Sequence, residues 1–484
     1  MAAPVDVRFR HRSRAVTTQV PAGVKTLTVR TLSWVVLATL IALIVVLPIP
    51  YGAVQAWWIS LFEVVVFIAT ILWIIEGLFT GSWFVREHQV LIPLALIVLF
   101  ALAQTVPLAS HSISGVSITR TISADPFETK QFVKDLVAHI LVLGMLIRFT
   151  DSKSRLRTLT YVVIGTGVGI AVFGLLRLVL QPQQGGFLLH YLKGETGFGP
   201  FINRNHFSFL MEMTMGLIAG LAIFGGLNKW KLRLAFGFGL TIWLATSLSN
   251  SRGGIFALVC QIMLGFLIAI TVNPTRVAAG PFAKFRRLAS NSFGLRVTTL
   301  VAILIVVIVG TVWIGGDKLS STVSMVPTEI GGDPELDTVR RADIWKANWR
   351  LFEKNPLMGC GFGAVTVAVT KYHEKSGIYS PHQAHNDYLE ILASGGLIAA
   401  ALTVWFVFGF CRFVAARVRS DSGFVLAVRW GAVIALFGVA IHSFVEFGLH
   451  VPGNSVVLMV LLAMPIVSVP RKLTEGPARS ASLS

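Results

Sequence analysis

The sequence predicts an all-α polytopic membrane protein with about twelve transmembrane helices and one large loop on the outer side. Of its 484 residues, 54% are hydrophobic and only 13% are charged, and the mean hydropathy is +0.74. A soluble domain carries about 25% charged residues. The apolar residues fall into separate runs of about 20, the length that an α-helix needs to cross a bilayer.

A basic, polar arm at residues 1–30 precedes the apolar runs. An arm of this kind followed by an apolar segment resembles a signal sequence, but the many later runs favour a retained anchor over a cleaved peptide. The predicted spans cover residues 31–49, 53–79, 88–107, 131–149, 157–180, 206–226, 232–249, 254–272, 297–315, 389–411, 425–445 and 453–470.

Basic residues lie in every second loop of this twelve-span arrangement, as in the pairs Arg148/Lys153 and Lys229/Lys231. Cytoplasmic loops of membrane proteins are enriched in Lys and Arg, so both termini are predicted to be cytoplasmic. The same topology accounts for the net charge of +18 without a nucleic-acid partner. The predicted divisions are an arm at 1–30, spans one to nine at 31–315, the large outer loop at 316–388, spans ten to twelve at 389–470, and a tail at 471–484.

The large outer loop is the longest polar segment, and it is predicted to carry short amphipathic helices. Residues 337–352 place Ile344, Trp345, Trp349 and Phe352 on one side of a helix, a pattern typical of a helix lying on a membrane surface. A glycine-rich run at 359–363 then predicts a flexible loop.

Four arginines on the outer side are candidates for anion binding. Arg252 lies in the turn between spans seven and eight, where Gly253 and Gly254 would let the backbone approach a ligand. Arg340 and Arg341 begin the amphipathic helix, and guanidinium groups bind phosphate oxygens in pairs. Arg177 lies near the outer end of span five. The alternative is that these side chains only reach for lipid headgroups or solvent.

Histidines supply the candidate acid–base groups. His382 and His385 precede the tenth span, with Asn386 beside them. Three interpretations stay open for this segment: a metal pair, a polar helix cap formed by Asn386 or Asp387, and His385 as a general base.

Two further polar clusters are predicted on the outer side. His442, Glu446 and His450 are spaced by four residues and would share one helical face, either as metal ligands or as a network in which Glu446 orients a histidine. Asn203, Asn205 and His206 form a second cluster at the start of span six. All of these residues except His450 are predicted to bind the substrate, together with Arg177, Arg340, His382 and Asn386.

Several signatures are absent from the sequence. It contains no nucleotide-binding Gly-Lys-Ser/Thr loop and no Asp-x-Asp pair of the type that holds a metal and a nucleotide-sugar. Its three cysteines provide no disulfide framework. We therefore predict no cofactor and no metal.

Five ordered segments in the C-terminal part of the chain resemble the O-antigen ligase and polymerase superfamily of bacterial inner-membrane glycan transferases. The similarity lies in the order of these segments along a twelve-span chain with one large outer loop. They are Asn203-Arg-Asn-His206, Ser251-Arg-Gly-Gly254, Arg341-Ala-Asp-Ile-Trp345 with Asn355 to Gly363, His385-Asn-Asp-Tyr-Leu389 with Gly395-Gly396, and His442-Ser-Phe-Val-Glu446 with His450-Val-Pro452.

The resemblance implies a glycosyltransferase-C-like fold in the bacterial inner membrane, with an active site facing the periplasm. The donor would be a polyprenyl-diphosphate-linked glycan, and the acceptor a hydroxyl of lipid A–core or another glycan acceptor, within a membrane lipid environment. By position, the residues essential in such ligases correspond to Arg252, Arg341 and His385. The family's ligases act without metal or nucleotide.

Alternative functions stay open at this point. A polymerase of repeat units is one, and Arg350 with Gly361 matches the Arg-x10-Gly pattern of that group. A protein O-oligosaccharyltransferase is another. Outside the enzymes, an anion or solute transporter could use Arg177 and Arg252, although transporters place their polar sites near the bilayer midplane.

Overall fold

The computed structural model describes residues 22–113, 116–180, 197–225, 227–271, 341–373 and 383–469, with isolated positions between 294 and 305. Most of these residues are helical. The α-helices are α1 Ala22–Val46, α2 Ala56–Thr80, α3 Ile92–Gln104, α4 Pro126–Phe149, α5 Lys153–Leu180, α6 Arg204–Phe224, α7 Lys229–Leu248, α8 Arg252–Thr271, α9 Arg341–Lys354, α10 Val365–Ala368, α11 Asp387–Ser420, α12 Gly423–His442 and α13 Pro452–Ala463.

Eight helical segments in the described part of the chain are long and apolar enough to cross a membrane, so the protein is a multi-pass membrane protein. They comprise α1, α2, α3 with the preceding 3-10 turn Arg86–Leu91, α5, α6, α8, α11 and α12. Helices α4, α7 and α13 coincide with three more predicted spans but are not among the eight, and α13 has only 12 residues. The predicted span at 297–315 falls almost wholly outside the described residues, so the count of twelve stays a prediction.

Helix bounds differ from the predicted ones at several ends. Helix α1 begins at Ala22, inside the segment 1–30 assigned to the polar arm. Helix α11 runs for 34 residues to Ser420, well past the predicted end of its span at 411. Apolar runs mark only the part of a helix that lies in hydrocarbon, so polar turns that extend the helix beyond the membrane are missed.

A short β-hairpin accompanies the helices, and the predicted all-α fold class holds for the described part of the chain. Strand β1, Ala109–Ile113, pairs antiparallel with β2, Val116–Arg120, in a register that places Ala109 opposite Arg120. The β-branched residues Val116, Ile118 and Thr119 favour this extended conformation. The sequence predicted an outer loop here, because two five-residue strands contain no apolar run of membrane-spanning length.

The centre of the bundle is α6, which packs most extensively against α12. Buried residues make up 83% of the most apolar stretch of α6, against 61% for α12. The two backbones approach closely at glycines: a Cβ added to Gly220 would lie 2.3 Å from the Cα of Gly431. Small residues allow this close packing between membrane helices. It fixes the beginning of α6 beside the end of α12, where the polar residues gather.

The glycine-rich loop after α9 is pinned to α11, which corrects the prediction of a flexible loop. The backbone N–H groups of Cys360 and Gly361 donate to the carbonyls of Ala393 and Ser394, both at 2.9 Å. A Cβ on Gly359 would lie 2.3 Å from the carbonyl carbon of Ser394. Gly396 breaks the helical path of α11 with φ 60° and ψ −158°, a conformation that glycine adopts readily. The glycines of both segments therefore allow the loop to pack closely against α11.

Helix α9 is amphipathic, as predicted, but it buries a different face. Ile344, Ala347, Asn348 and Leu351 are buried, at helical spacing, and α9 packs against α11. Trp349 is 48% exposed, although the sequence analysis placed it on the apolar face with Trp345 and Phe352. The small Ala347 allows the close approach to protein that the larger tryptophan would prevent.

Candidate active site

Glu446 lies just beyond the end of α12, in the connection to α13. Helix α12 ends at His442, residues 443–445 form a turn, residues 446 and 447 are irregular, and a 3-10 turn follows at Gly448–His450. This corrects the expectation that His442, Glu446 and His450 share one helical face. Because the chain leaves the helix at His442, the carboxylate of Glu446 points toward α6, α9 and the start of α11.

The Glu446 carboxylate collects three side chains that are far apart in the sequence. Its Oε2 accepts a hydrogen bond from Asn205 Nδ2 at 2.5 Å and from an Arg341 guanidinium nitrogen at 3.0 Å. Its Oε1 faces His385 Nδ1 at 2.8 Å. The glutamate itself is only 1% exposed. Glu446 is therefore a buried carboxylate that binds Arg341 at the start of α9, the amide of Asn205 and the imidazole of His385.

The charge of Glu446 is stabilised by these partners. Burial alone would raise the pKa of this carboxyl, but the His385 hydrogen bond and the positive charges of His385 and Arg341 outweigh burial and lower the pKa to about 2. Glu446 is therefore ionised at neutral pH. A buried carboxylate held in this way is stable only while its partners stay in place.

His385 lies at the edge of this cluster and is partly accessible. Its backbone has φ 49°, a left-handed conformation that few residues other than glycine adopt and that costs about 1–3 kcal/mol. Its side chain is 29% exposed, and the ring of Phe447 meets it edge-on at 4.7 Å. With Nδ1 turned to Glu446, the ring nitrogen Nε2 is the one available to a substrate.

Three arginines line a cleft next to Glu446. The cleft has a volume of about 70 Å³, and its lining holds three arginines and one carboxylate, so its charge is positive. Two of these arginines begin helices: Arg252 is the first residue of α8, and Arg341 is the first residue of α9. The lining residues are Arg204, Asn205, Asn250, Arg252, Gly253, Arg341, His442, Val445 and Glu446.

Gly253 and Gly254 serve helix packing, which corrects the interpretation that they admit a ligand to the backbone. A Cβ on Gly253 would lie 2.6 Å from the imidazole Nε2 of His442. A Cβ on Gly254 would lie 2.4 Å from the Cβ of Ser208. The two glycines thus let the start of α8 approach α6 and α12, and this approach carries Arg252 into the cleft.

Two of the predicted asparagines cap helices, and a third belongs to the polar cluster around Glu446. Asn203 caps α6 by accepting from the Asn205 backbone N–H at 2.8 Å, and Asn386 caps α11 by accepting from the Leu389 N–H at 3.1 Å. Asn205 has a bridging position: its Oδ1 accepts from Ser251 Oγ at 2.8 Å while its amide donates to Glu446. The α7–α8 turn is thereby joined to the glutamate.

His442 pairs with a residue that the sequence analysis missed. Its Nδ1 lies 2.6 Å from Oε1 of Glu212, and its ring stacks on Phe209 at 4.2 Å. Both side chains of the pair are at most 1% exposed. The signal for Glu212 was present in the sequence, because an acidic residue inside an apolar span is seldom tolerated without a partner or a function.

The remaining predicted site residues lie around the cluster or beyond it. His206 is buried, and its ring meets Phe447 edge-on at 4.8 Å. Arg177 donates to the Gly199 carbonyl at 2.6 Å and is not among the residues that line the cleft. Arg340 and His382 lie outside the described residues.

His450 is turned toward the beginning of α11. Its Nε2 lies 3.4 Å from a carboxylate oxygen of Asp387, and Glu390 is 4.0 Å away. Burial tends to lower the pKa of His450, but the two carboxylates outweigh it and raise the pKa. This contact and the hydrogen bond from the Asp387 N–H to the Ser443 carbonyl, at 2.9 Å, fix the α11 start that carries His385.

Part of the chain is similar to a known protein family. A family model described as O-antigen ligase matches residues 236–404, a range that includes Arg252, Arg341 and His385 and ends before Glu446. No curated protein matches the chain. Over residues 236–404 the chain is therefore similar to the O-antigen ligase superfamily, and this similarity confirms the resemblance seen in its sequence segments.

Proposed function

We propose that the protein transfers a glycan from a polyprenyl-diphosphate-linked donor to a sugar hydroxyl of a lipid acceptor, without a metal and with inversion at the anomeric carbon. The observation that carries this proposal is the Glu446 carboxylate, bonded to both His385 and Arg341 beside the arginine-rich cleft. The O-antigen ligase match supports glycan transfer in general.

The arginines of the cleft suit a diphosphate leaving group. As the anomeric C–O bond breaks, its electron pair moves to the departing phosphate oxygen and negative charge develops there. Arg252 and Arg341, with Arg204 nearby, supply fixed positive charge in a confined site. Electrostatic stabilisation of developing charge is commonly the largest contribution to catalysis. Guanidinium groups also bind phosphate oxygens in a planar, paired geometry that lysine lacks.

His385 is suited to activate the acceptor. Glu446 holds Nδ1–H, which leaves the lone pair of Nε2 free to take the proton of a sugar hydroxyl. The hydroxyl oxygen then forms the new bond to the anomeric carbon from the face opposite the diphosphate, and the configuration inverts. The carboxylate also stabilises the imidazolium that forms, the role that an aspartate has in Ser-His-Asp enzymes.

Substrate entry requires the cleft to widen. Its volume of about 70 Å³ equals little more than two water molecules at roughly 30 Å³ each. Arg341 lines the cleft, is 36% exposed and bonds to Glu446 at 3.0 Å. We propose that α9 moves relative to the 443–447 segment when the donor enters, as lids and loops do in many enzymes.

The location of the reaction follows from the predicted topology. The cleft lies at the end of the bundle where α6, α8 and α11 begin and where α7 and α12 end. Under the positive-inside assignment this end faces outward, so the site would face the periplasm of a bacterial inner membrane. A lipid-linked donor can reach it from within the bilayer.

A reconstituted assay tests the proposed reaction. The purified full chain is mixed with a polyprenyl-diphosphate-linked oligosaccharide and a lipid A–core acceptor in the presence of EDTA. We expect the oligosaccharide on the acceptor lipid and free polyprenyl diphosphate in equal amount. Longer glycan that stays on the carrier would instead indicate a polymerase, and glycan on a protein hydroxyl an O-oligosaccharyltransferase. Absence of any glycosidic product would contradict the proposal.

A further inference from the structure

A second basic site lies at the opposite end of α11 from His385. It is a groove of about 610 Å³ between the 3-10 turn Arg86–Leu91, the start of α3 and the C-terminal half of α11. Asp387 and Arg412 are separated by roughly 35 Å along α11, at about 1.5 Å per helical residue. The groove is therefore separate from the Glu446 cluster.

The groove is basic at one end and aromatic at the other. Arg86, Arg412 and Arg417 line the basic end, and Trp405 and Phe408 line the aromatic end. Both aromatic side chains are largely exposed, at 49% and 62%. This division follows the direction of α11, which passes from polar residues near Ser420 into its apolar stretch.

Charge in the basic end is only partly compensated. Arg417 is paired with Glu87, whose side chain is 5% exposed. In the described part of the chain, neither Arg86 nor Arg412 is paired with an acid. The Arg412 guanidinium lies 5.9 Å from the centre of the Phe408 ring, so it is held over the aromatic face. Two guanidinium groups are thus available to an anion.

We infer that this groove binds an anionic phospholipid of the surrounding bilayer. Its phosphodiester would sit between Arg86 and Arg412, and the upper part of an acyl chain would lie along Trp405 and Phe408. Basic pockets between helices at the cytoplasmic end of membrane proteins bind such headgroups. Charged hydrogen bonds from arginine to phosphate give the site preference over zwitterionic lipid.

The combination of charge and shape supports a lipid over a soluble anion. A free phosphate would need only the arginines and would leave the aromatic half of the groove exposed. Arginines that only reach for the membrane surface would need no cavity beneath them. The donor site proposed above lies at the other end of α11, so a polyprenyl diphosphate is expected there and not in this groove.

Lipid titration of the purified full chain tests this inference. Native mass spectrometry in detergent would count molecules of phosphatidylglycerol and phosphatidylcholine retained by the wild type and by the Arg86→Gln/Arg412→Gln variant. Loss of two charged hydrogen bonds should weaken phosphatidylglycerol binding at least about tenfold. Binding should also weaken as NaCl rises, because these side chains are exposed.

Matched variants separate this site from general surface charge. Lys229→Gln/Lys231→Gln removes the same charge from exposed positions at the same end of the bundle, where α7 begins, and should leave binding unchanged. Trp405→Ala should weaken binding a few-fold. If the double arginine variant cannot be purified, Arg412→Gln alone should weaken binding by a smaller factor in the same assay.

Four outcomes would overturn the inference. These are equal retention of phosphatidylcholine and phosphatidylglycerol, unchanged binding in the arginine variants, an equal loss in the lysine control, and displacement of phosphatidylglycerol from the wild type by polyprenyl diphosphate. None of these measurements depends on transfer activity, so the inference stands or fails separately from the proposed reaction.

Discussion

Two histidine–glutamate pairs lie side by side in this protein, and they differ mainly in exposure. His385 meets Glu446 at 2.8 Å, and its side chain is 29% exposed. His442 meets Glu212 at 2.6 Å, and its side chain is 1% exposed. In both pairs Nδ1 faces the carboxylate. The two imidazoles therefore present the same ring nitrogen to a carboxylate, but they differ in access to substrate and in the further partners of that carboxylate.

The packing around each pair assigns the two imidazoles to different roles. The backbone of Gly253 closes over the His442 ring, and Phe209 stacks on its face. Glu446 instead has Arg341 and Asn205 as further partners, and both of these line the cleft. We expect the outer pair to serve transfer and the inner pair to support the α6–α8–α12 packing. The following substitutions test that difference.

Replacing Glu446 should have the largest effect on transfer. Glu446→Gln removes the charge that orients His385 and holds Arg341, so we expect a loss of roughly 10²–10⁴-fold in kcat/KM, the range for a positioned acid–base group. The measurement is transfer by purified variant, normalised to folded protein by size-exclusion chromatography. A variant with nearly wild-type transfer would show that the carboxylate has no part in the reaction.

Exchange of the cleft arginines for lysine should produce a smaller but clear loss. Arg252→Lys and Arg341→Lys keep the charge but lose the planar pair of donors, and we expect each to lower transfer roughly 10–100-fold, or about 1.4 kcal/mol per tenfold. Lys346→Arg, on the exposed side of α9, is a matched control. If both lysine variants retain wild-type rates, then guanidinium geometry is irrelevant and the diphosphate site is misassigned.

Glu446 should keep its charge, and its bonds to His385 and Arg341, down to low pH. The pKa of Glu446 is lowered to about 2, so its stabilising charge is present above its unfolded-state pKa and is lost only as the pH falls toward 2. Between pH 5 and 8 the glutamate stays ionised. Titration of the Glu446 carboxyl, followed by 13C NMR in wild type against Glu446→Gln, should therefore fall below pH 4. A carboxyl that titrates between pH 5 and 8 would contradict the role of Glu446 as the ionised partner of His385 and Arg341.

Substitution in the inner pair should affect stability more than transfer. Glu212→Gln keeps the side-chain shape but changes a buried hydrogen bond, so we expect a Tm lower by a few degrees and a transfer rate, per folded molecule, within about threefold of wild type. Thermal unfolding and transfer are measured on the same preparation. A large loss of transfer at unchanged Tm would place His442 among the reacting groups and remove the distinction drawn here.

Much of the fold could be predicted from the sequence because hydrocarbon imposes a simple rule. A chain in the bilayer core must satisfy its backbone by helix formation, so apolar runs such as those of α2 and α5 translate directly into helices. The hairpin at residues 109–120 and the break at Gly396 were missed. Both depend on local backbone pairing that a hydropathy pattern does not record.

The residues of the site could be predicted from the sequence better than the contacts between them. Arg252, Arg341, Glu446 and His385 were all identified from residue type and position, and Glu446 was offered as a residue that orients a histidine. Its bonds to Arg341 and to His385 in particular were not predicted. A regular spacing of four suggested a helical face, whereas α12 ends at His442 and turns Glu446 toward other segments. Contacts between residues 341, 385 and 446 depend on packing among α9, α11 and α12, which no local pattern specifies.

The most direct test of the central claim is the rate of transfer by purified His385→Ala, measured in EDTA at pH 7 beside wild type and His382→Ala. We predict full wild-type activity in EDTA, a loss of roughly 10²–10⁴-fold for His385→Ala with donor binding retained, and little loss for His382→Ala. An inactive wild type in EDTA, or a His385→Ala variant as fast as wild type, would contradict the account.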